Sequence, residues 1–178
     1  MLIASAFVLN ASMAQKMEAT VEVGGAPMYA TKNIIENAVN SSDHTTLVAA
    51  VKAAGLVATL QGAGPFTVFA PTNEAFEKLP KGTVESLLKP ENKAMLTKVL
   101  TYHVVAGKWD AKDLAKLIKD GGGSATLKTV AGGTLTATMK GNKIMLTDEK
   151  GGVSTVTIKN VYQSNGVIHV VDTVLLPA

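Results

Sequence analysis

The stretch that decides how this chain folds is TVFAPTNEAF, at residues 67–76. Its first half is β-branched and aromatic and is closed by a proline, which is typical of a buried strand. Its second half begins with Thr72 and Asn73, whose side chains bind nearby backbone groups at turns and helix starts. Phe69 and Phe76 are two of the four phenylalanines in the chain. The stretch therefore predicts a strand-to-helix corner held by hydrogen bonds and two aromatic rings.

A second stretch, NGVIHVVDTVLLP at residues 165–177, predicts one long apolar strand. His169 and Asp172 are embedded in it, and buried polar groups need hydrogen-bond partners. The polar corner at Thr72 and Asn73 is the expected partner of both side chains. The two stretches are therefore expected to lie side by side.

Helical patterns occupy most of the chain ahead of the first stretch and between that stretch and residue 123. Apolar residues recur at i, i+3 and i+4 in several short segments, each preceded by a residue that can start a helix. The predicted helix starts are Thr31, Asp43, Thr72, Thr83, Pro90 and Asp110, and Gly55 is the predicted end of the second helix.

The hydrophobic period changes from 3.6 to 2 after residue 123, which indicates strands. One short strand is also expected earlier, at residues 102–105. The later strands are predicted at residues 134–139, 144–146, 153–158, 161–162 and 167–171, with hairpin turns at Gly141-Asn142 and Asn165-Gly166. Helices that cluster first and strands that cluster later predict an α+β fold, not an alternating parallel one.

Composition excludes several classes of protein. The chain has 178 residues, 47% hydrophobic and 17% charged, which fits one domain with a packed core. It has no cysteine, so disulfide scaffolds and thiolate metal sites are excluded. All 17 basic residues are lysine, and base-reading proteins rely on arginine, so no nucleic-acid partner is expected despite the net charge of +3.

Residues 1–14 have the pattern of a secretory signal peptide. The segment is uncharged, has a short apolar stretch, and places Ser12 and Ala14 at the small-residue positions of a cleavage site. The alternatives are a disordered apolar N-terminus or a first core strand. Residues 15–31 are interpreted as an extended lead-in. No other stretch has the length of a membrane span, so a secreted protein, periplasmic or extracellular, is expected.

Catalytic and metal-binding motifs are not recognisable in the sequence. His44, His103 and His169 are far apart, so no metal site and no cofactor are expected, and His103 and His169 are interpreted as core residues in strands. His44 is expected on an exposed helix start. A hydrolase that uses His169 and Asp172, with Ser164 as the nucleophile, remains an alternative without a supporting motif.

Taken together, the two stretches and the Tyr102-His103 pair between them resemble the two boxes and the central Tyr-His of the fasciclin (FAS1) domain. The resemblance covers residues 32–177. It implies a twisted β wedge or sandwich with a layer of short helices. It also implies a secreted or surface-anchored protein of cell adhesion and matrix interaction, with no catalytic activity and no obligatory cofactor.

The resemblance assigns roles to particular residues. The fold-defining positions that it implies are Thr67, Phe69, Pro71, Thr72, Asn73, Phe76, Val167, His169, Asp172 and Pro177. Tyr102 and His103 match an element linked to integrin binding in some animal members, and the same pair can instead pack the core.

The expected function is therefore a monomeric adhesion module that binds a surface or matrix protein or a polysaccharide. The alternative is a periplasmic protein that binds a small ligand or lipid, because the seven methionines and many aliphatic residues suit an adaptable apolar pocket. A further possibility is salt-sensitive contact with anionic polysaccharide through the lysines at positions 108, 112, 116 and 119.

Overall fold

The computed structural model describes residues 20–178. Within that range it contains the helices α1 (Ile34–Ala38), α2 (Thr45–Ala54), α3 (Val57–Leu60), α4 (Asn73–Glu77), α5 (Thr83–Leu87), α6 (Lys93–Tyr102) and α7 (Ala111–Asp120). Two 3₁₀ turns, Ser42–His44 and Pro90–Asn92, precede α2 and α6. The strands are β1 (Val21–Val23), β2 (Ala26–Met28), β3 (Phe66–Pro71), β4 (Val104–Ala106), β5 (Ser124–Lys128), β6 (Thr134–Lys140), β7 (Lys143–Thr147), β8 (Val153–Gln163) and β9 (Gly166–Val171).

One seven-stranded sheet dominates the described part of the chain, in the order β4-β3-β9-β8-β7-β6-β5. Only β3 and β9 run parallel, and the other neighbours are antiparallel. The sheet curls until its two edges meet, since Val105 and Thr129 form a bridge and Val130 N donates to Val104 O at 2.8 Å. This wedge with its short helices confirms the predicted α+β fold.

Two groups of buried side chains lie on opposite faces of β3 and β9. The helix-side core lies under the helices and includes Leu47, Val51, Phe76, Leu100, Ile168 and Val170. The sheet-interior core lies inside the curled sheet under α7 and includes Phe69, Tyr102, Leu114, Leu135, Leu146 and Val171. Since successive residues of a strand point to opposite faces, β9 supplies both cores and is buried along its whole length.

The predicted signal peptide, residues 1–14, lies outside the described residues. The described part of the predicted lead-in forms an antiparallel hairpin of β1 and β2. Val23 and Met28 of this hairpin are buried in the helix-side core. The core therefore includes residues ahead of the predicted domain boundary at residue 32.

Several helix ends were predicted correctly. The Thr72 hydroxyl accepts from Ala75 N at 3.2 Å and caps α4, and Asp110 Oδ1 accepts from Asp113 N at 2.9 Å and caps α7. Gly55 ends α2 with a φ of 71°, a conformation that glycine adopts without strain.

The predicted cap of α1 was wrong by two residues. Asn33, not Thr31, caps this helix, because Asn33 and Glu36 form a reciprocal capping box. Asn33 Oδ1 accepts from Glu36 N at 3.0 Å, and Glu36 Oε2 accepts from Asn33 N at 2.8 Å.

Two further helix starts were also misplaced. Asp43 lies inside the 3₁₀ turn that precedes α2, so it does not cap that helix. Gly82, with a φ of 85°, stands at the cap position of α5, and Thr83 is the first helical residue.

The strand predicted at residues 102–105 was wrong in its first half. The apolar positions Leu96, Val99 and Leu100 keep α6 helical through Tyr102, and His103 is its C-cap residue. The strand begins only at Val104. His103 is therefore a helix-end residue and not a strand residue.

The turn between β8 and β9 lies one residue earlier than predicted. Gln163 pairs with Gly166, so the loop residues are Ser164 and Asn165. Gly166 belongs to β9, where a Cβ would lie 2.0 Å from the carbonyl oxygen of Phe66 on the paired strand. This close approach explains the glycine. β9 ends at Val171, as predicted for residues 167–171, and the strand does not continue through the rest of the stretch at residues 165–177.

Candidate functional site

Thr67 anchors the segment that follows β4. Its side chain is buried, and its hydroxyl donates to Gly107 O at 2.7 Å and accepts from Trp109 N at 2.9 Å. One hydroxyl therefore fixes the backbone at two points of the loop that leads to α7.

Asn73 ties the corner at residues 67–76 to the start of α2. Its Oδ1 accepts from Thr46 N at 2.9 Å, and its Nδ2 donates to Ser42 O at 2.8 Å. The two phenylalanines of the stretch enter different cores: Phe69 lies in the sheet-interior core and Phe76 in the helix-side core. The corner thus joins the two cores.

The expected side-chain contact between the two stretches is absent. Pro71 pairs with Val171, and Thr72 N donates to Val171 O at 3.3 Å, so the two stretches do run side by side. The polar side chains nevertheless point elsewhere, because neither His169 nor Asp172 bonds to Thr72 or Asn73. That prediction was wrong.

His169 and Asp172 have other partners. The Nε2 of His169 donates to Trp109 O at 2.8 Å and its Nδ1 accepts from Asn160 N at 3.2 Å. Asp172 Oδ1 accepts from Thr155 N at 2.9 Å. His169 therefore fixes the loop before α7. Asp172, which directly follows β9, fixes the first residues of β8.

Two carboxylates in the turn between β7 and β8 bind the backbone of residues 176 and 178. Asp148 Oδ2 accepts from Leu176 N at 3.0 Å, and Glu149 Oε2 accepts from Ala178 N at 3.0 Å. Pro177 between them is buried, as is Val167 of β9.

Tyr102 and His103 are both enclosed by the fold, with 0% and 2% of their surfaces exposed. The Tyr102 hydroxyl donates to Thr134 O at 2.6 Å and accepts from Glu149 N at 3.1 Å. His103 Nδ1 donates to Val99 O at 2.8 Å, and its Nε2 accepts from Leu175 N at 2.9 Å. A partner would have to open the fold to touch either side chain, so these contacts support the packing role.

All three histidines are buried, each with one ring nitrogen donating to a carbonyl and the other accepting. For His44, Nε2 donates to Ala70 O at 3.4 Å and Nδ1 accepts from the Ser41 hydroxyl at 2.8 Å. Such partners fix the neutral tautomer. The predicted exposure of His44 was wrong, because the 3₁₀ turn directs its ring toward β3.

Burial lowers the pKa of His103 to about 4, and its hydrogen bond to Val99 and the charge of Asp148 offset this only in part. Burial also lowers the pKa of His44 and of His169. The three rings therefore stay uncharged in the folded protein at neutral pH.

Acidification should destabilise the protein through these rings. His103 takes up a proton near pH 6.5 in the unfolded chain and only near pH 4 in the folded protein. The folding stability that depends on a neutral His103 is therefore fully present above pH 6.5. It is lost as the pH falls from 6.5 to 4, by about 3 kcal/mol for His103 alone. Urea unfolding between pH 7.5 and 4.5 measures it, and a flat midpoint across that range would contradict the burial of His103.

A catalytic triad does not form from the residues considered for one. The side chains of His169 and Asp172 make no hydrogen bond to each other, and Ser164 lies in the turn before β9. His169 is completely buried. Among residues 20–178, no group of three or more histidine, aspartate or glutamate side chains is placed to hold a metal ion.

Asn160 was missed by the sequence analysis. It has a φ of 59°, and its Oδ1 accepts from Ala111 N, in the first turn of α7, at 2.7 Å. The visible signal was the break between the strands predicted at residues 153–158 and 161–162. This break is an irregularity within β8.

Asn160→Ala is expected to lower the free energy of unfolding by about 2 kcal/mol, half from the left-handed backbone and half from the lost hydrogen bond. Asn160→Gly should lower it by only about 1 kcal/mol, because glycine adopts the left-handed backbone conformation without strain. Chemical denaturation of both variants measures the difference. Equal losses would show that the backbone conformation contributes nothing.

The lysines considered for a basic helix face are separated by acids. Lys112, Lys116 and Lys119 are exposed on α7, together with Asp113 and Asp120. Lys108 instead lies over the ring of Tyr162, with Nζ 5.0 Å from the ring centroid.

Across residues 20–178, no helix combines the length and apolar character that a membrane span requires.

The sequence and the fold both match known proteins. The fasciclin domain family profile matches residues 42–177. Protein sll1483 of Synechocystis sp. is 48% identical over 160 residues, which is 90% of this chain and 82% of that protein. The cell surface glycolipoprotein MPB83 of Mycobacterium bovis is 37% identical over 122 residues, which is 68% of this chain and 48% of that protein.

A solved structure supports the same assignment of fold. A FAS1 domain pair from the insect cell adhesion molecule Fasciclin I matches with a TM-score of 0.74 at 17% identity, over 90% of this chain and 58% of that chain. The profile match and the sequence identity together show that this chain belongs to the fasciclin domain family.

Proposed function

We propose that this chain is a secreted, non-enzymatic fasciclin-type module that binds a component of the cell surface or the extracellular matrix. Its expected location is periplasmic or extracellular, and its expected state is monomeric. The observation that carries the proposal is the direction in which the motif side chains point their polar atoms. Thr67, Asn73, Tyr102, His103 and His169 all direct their polar atoms to bonds inside the fold.

Such a motif builds a scaffold and leaves recognition to the outer surface. Relatives point the same way, since MPB83 is described as a cell surface protein.

The test is binding of the purified chain to envelope fractions and to matrix polysaccharides at low salt, with the heat-unfolded chain as control. Saturable retention of the folded chain alone is expected. The absence of retention on every surface would contradict the proposal. Turnover in a broad esterase and glycosidase screen would contradict its non-enzymatic part.

A second candidate function rests on an apolar cavity in the helix-side core. The cavity has a volume of about 60 Å³ and lies between α1, α2, α6 and the sheet. Its walls are almost entirely carbon, from residues such as Ile34, Leu47, Val51, Leu60 and Ile168. Apolar cavities of this kind stay dry and accept small apolar molecules.

The cavity favours a small aliphatic ligand over a two-chain lipid because of its modest volume. Among the described methionines only Met28 lines it, so adaptable methionines do not explain it. Native mass spectrometry should detect a bound ligand in the wild-type chain and none in Ala38→Leu, which fills the cavity from α1. A wild-type mass equal to that of the bare chain would reject this candidate.

A further inference from the structure

The outer face of β5 to β8 carries threonine and lysine. Cross-strand partners point to the same side of a sheet. One row therefore runs Thr126, Thr136, Thr147, and the next row includes Thr138, Met145 and Thr155. Lys140 and Lys143 are paired at the hairpin end. The alternate residues Leu135, Ala137, Ile144 and Leu146 face the sheet-interior core, so the polar side is the solvent side.

This face is concave next to the hairpin of β6 and β7. Two register shifts in the pairing of β8 with β9 interrupt the regular ladder of β8. A groove of about 670 Å³ lies between the hairpin tip and β8. Its polar lining includes Lys140, Asn142, Lys143, Thr155, Thr157 and Lys159. The volume falls within the range of ~300–1,000 Å³ that is usual for ligand sites.

The charges of the groove are available to a partner. Within the described residues, no hydrogen bond, ion pair or ring contact engages the ammonium groups of Lys140, Lys143 and Lys159. Lys78 and Lys98, in contrast, donate to Asp172 O and Ala178 O. Among residues 20–178, Asp172 is the only carboxylate that lines the groove, and its Oδ1 accepts from Thr155 N. Three lysines against one engaged carboxylate give the groove a positive potential.

We propose that this groove binds an acidic polysaccharide, with the three lysines pairing with its carboxylate or sulfate groups. The inference deepens the proposed surface-binding function and rests on it. The free hydroxyl of Thr155 and the amide of Asn142 suit the hydroxyl groups of sugars.

A second concavity lies beside the groove, on the side of the hairpin tip that faces α7, and Met139 and Ile144 of the inner face also line it. It shares Asn142 and Lys159 with the groove and adds Lys112. Its volume is about 400 Å³. A chain of several sugar units that passes the hairpin tip at Asn142 can therefore also reach Lys112 on α7, which a single small anion in the groove cannot.

A lipid surface fits the groove less well than a sugar chain. Peripheral membrane binding needs apolar side chains that enter the acyl region. The groove instead has a polar rim, with Met145 and Val156 as its apolar members. A flat bilayer also cannot follow a concave surface.

The experiment uses the full chain and two triple variants of equal charge. K140E/K143E/K159E reverses the charge of the three groove lysines, and K52E/K81E/K89E reverses the charge of three lysines of the helical layer. Binding of alginate oligosaccharides is measured by calorimetry at two salt concentrations. The wild type should bind more weakly at high salt. The groove variant should lose roughly tenfold or more in affinity while the helical-layer variant stays within about twofold.

The variant Thr155→Val tests the groove without a change of charge. It removes the free hydroxyl at nearly constant volume and should weaken alginate binding while leaving the salt dependence unchanged. Thermal melts of all variants ensure that only folded protein is compared.

Several outcomes would overturn the inference. Equal losses in both triple variants would show attraction by net charge alone. Binding to phosphatidylglycerol vesicles but not to alginate would assign the surface to a membrane. If the wild type bound no polyanion, the groove would be rejected as a binding site for acidic polysaccharide. In that case retention on envelope fractions, measured separately, would still decide the proposed surface-binding function.

Discussion

Replacement of Tyr102 and His103 together by alanine is expected to lower the free energy of unfolding by about 6 kcal/mol. Loss of a fully buried aromatic side chain costs about 3–5 kcal/mol. Removal of His103 leaves Leu175 N without its acceptor, at about 1–3 kcal/mol. The sum, about 6 kcal/mol, is comparable with the ~5–15 kcal/mol that stabilises a whole domain.

Urea unfolding followed by circular dichroism measures this effect. Met95→Ala is the matched control, since Met95 is 54% exposed, and it should change the free energy of unfolding by less than about 0.5 kcal/mol. A double variant that keeps the wild-type midpoint would show that the pair is not part of the core.

A milder variant separates packing from recognition. Tyr102→Phe keeps the ring and removes only the hydroxyl that joins Thr134 to Glu149, so it should cost about 1–2 kcal/mol and stay folded. Its binding to a surface partner should match that of the wild type. Lost binding by this folded variant would assign recognition to Tyr102.

Phe69→Ala is the second change with a large expected effect, about 4 kcal/mol of lost stability. The Phe69 ring is completely buried and stacks on His169, with ring centroids 5.8 Å apart. Its removal leaves a cavity in the sheet-interior core beside β9, and the close-packed neighbours can fill it only in part.

Phe69→Leu provides the graded comparison for this position. Leucine refills much of the space, so the loss should fall to about 1–1.5 kcal/mol. Guanidinium unfolding, monitored through Trp109, measures both variants. A loss below about 1 kcal/mol for Phe69→Ala would contradict its place in the core.

Local patterns predicted much of the fold. Thr72 and Asp110 cap helices as expected because capping depends on residues within one turn. The alternating threonines at residues 134–139 formed a strand with one buried face. The hairpin at Gly141-Asn142 also followed the expected pattern, since its loop conformation is set by those two residues.

Long-range partners were not predictable in the same way. The sequence placed the corner beside the second stretch, and β3 does pair with β9. The direction of each side chain depends on strand register, and this sends His169 to Trp109 and Asn160. Burial of His44 likewise depends on a 3₁₀ turn that local capping signals do not reveal.

The extent of α6 was a local ambiguity. Residues 102–105 are aromatic and β-branched, which favours a strand. The contacts of the preceding turn with the helix-side core keep Tyr102 helical. This one-turn difference places the Tyr102 hydroxyl against the turn between β7 and β8, where it bonds to Glu149 N.

The motif side chains of this fasciclin domain direct their polar atoms into the fold, and the proposed recognition surface therefore lies elsewhere. Nitrogen NMR of the histidine rings during a pH titration tests the enclosure of His103, whose signal is assigned by comparison with His103→Gln. We expect a neutral His103 with its proton on Nδ1 and no titration between pH 8 and about 5, because its pKa is about 4. A His103 ring that titrates near pH 6.5, as a solvent-exposed histidine does, would contradict its enclosure in the fold.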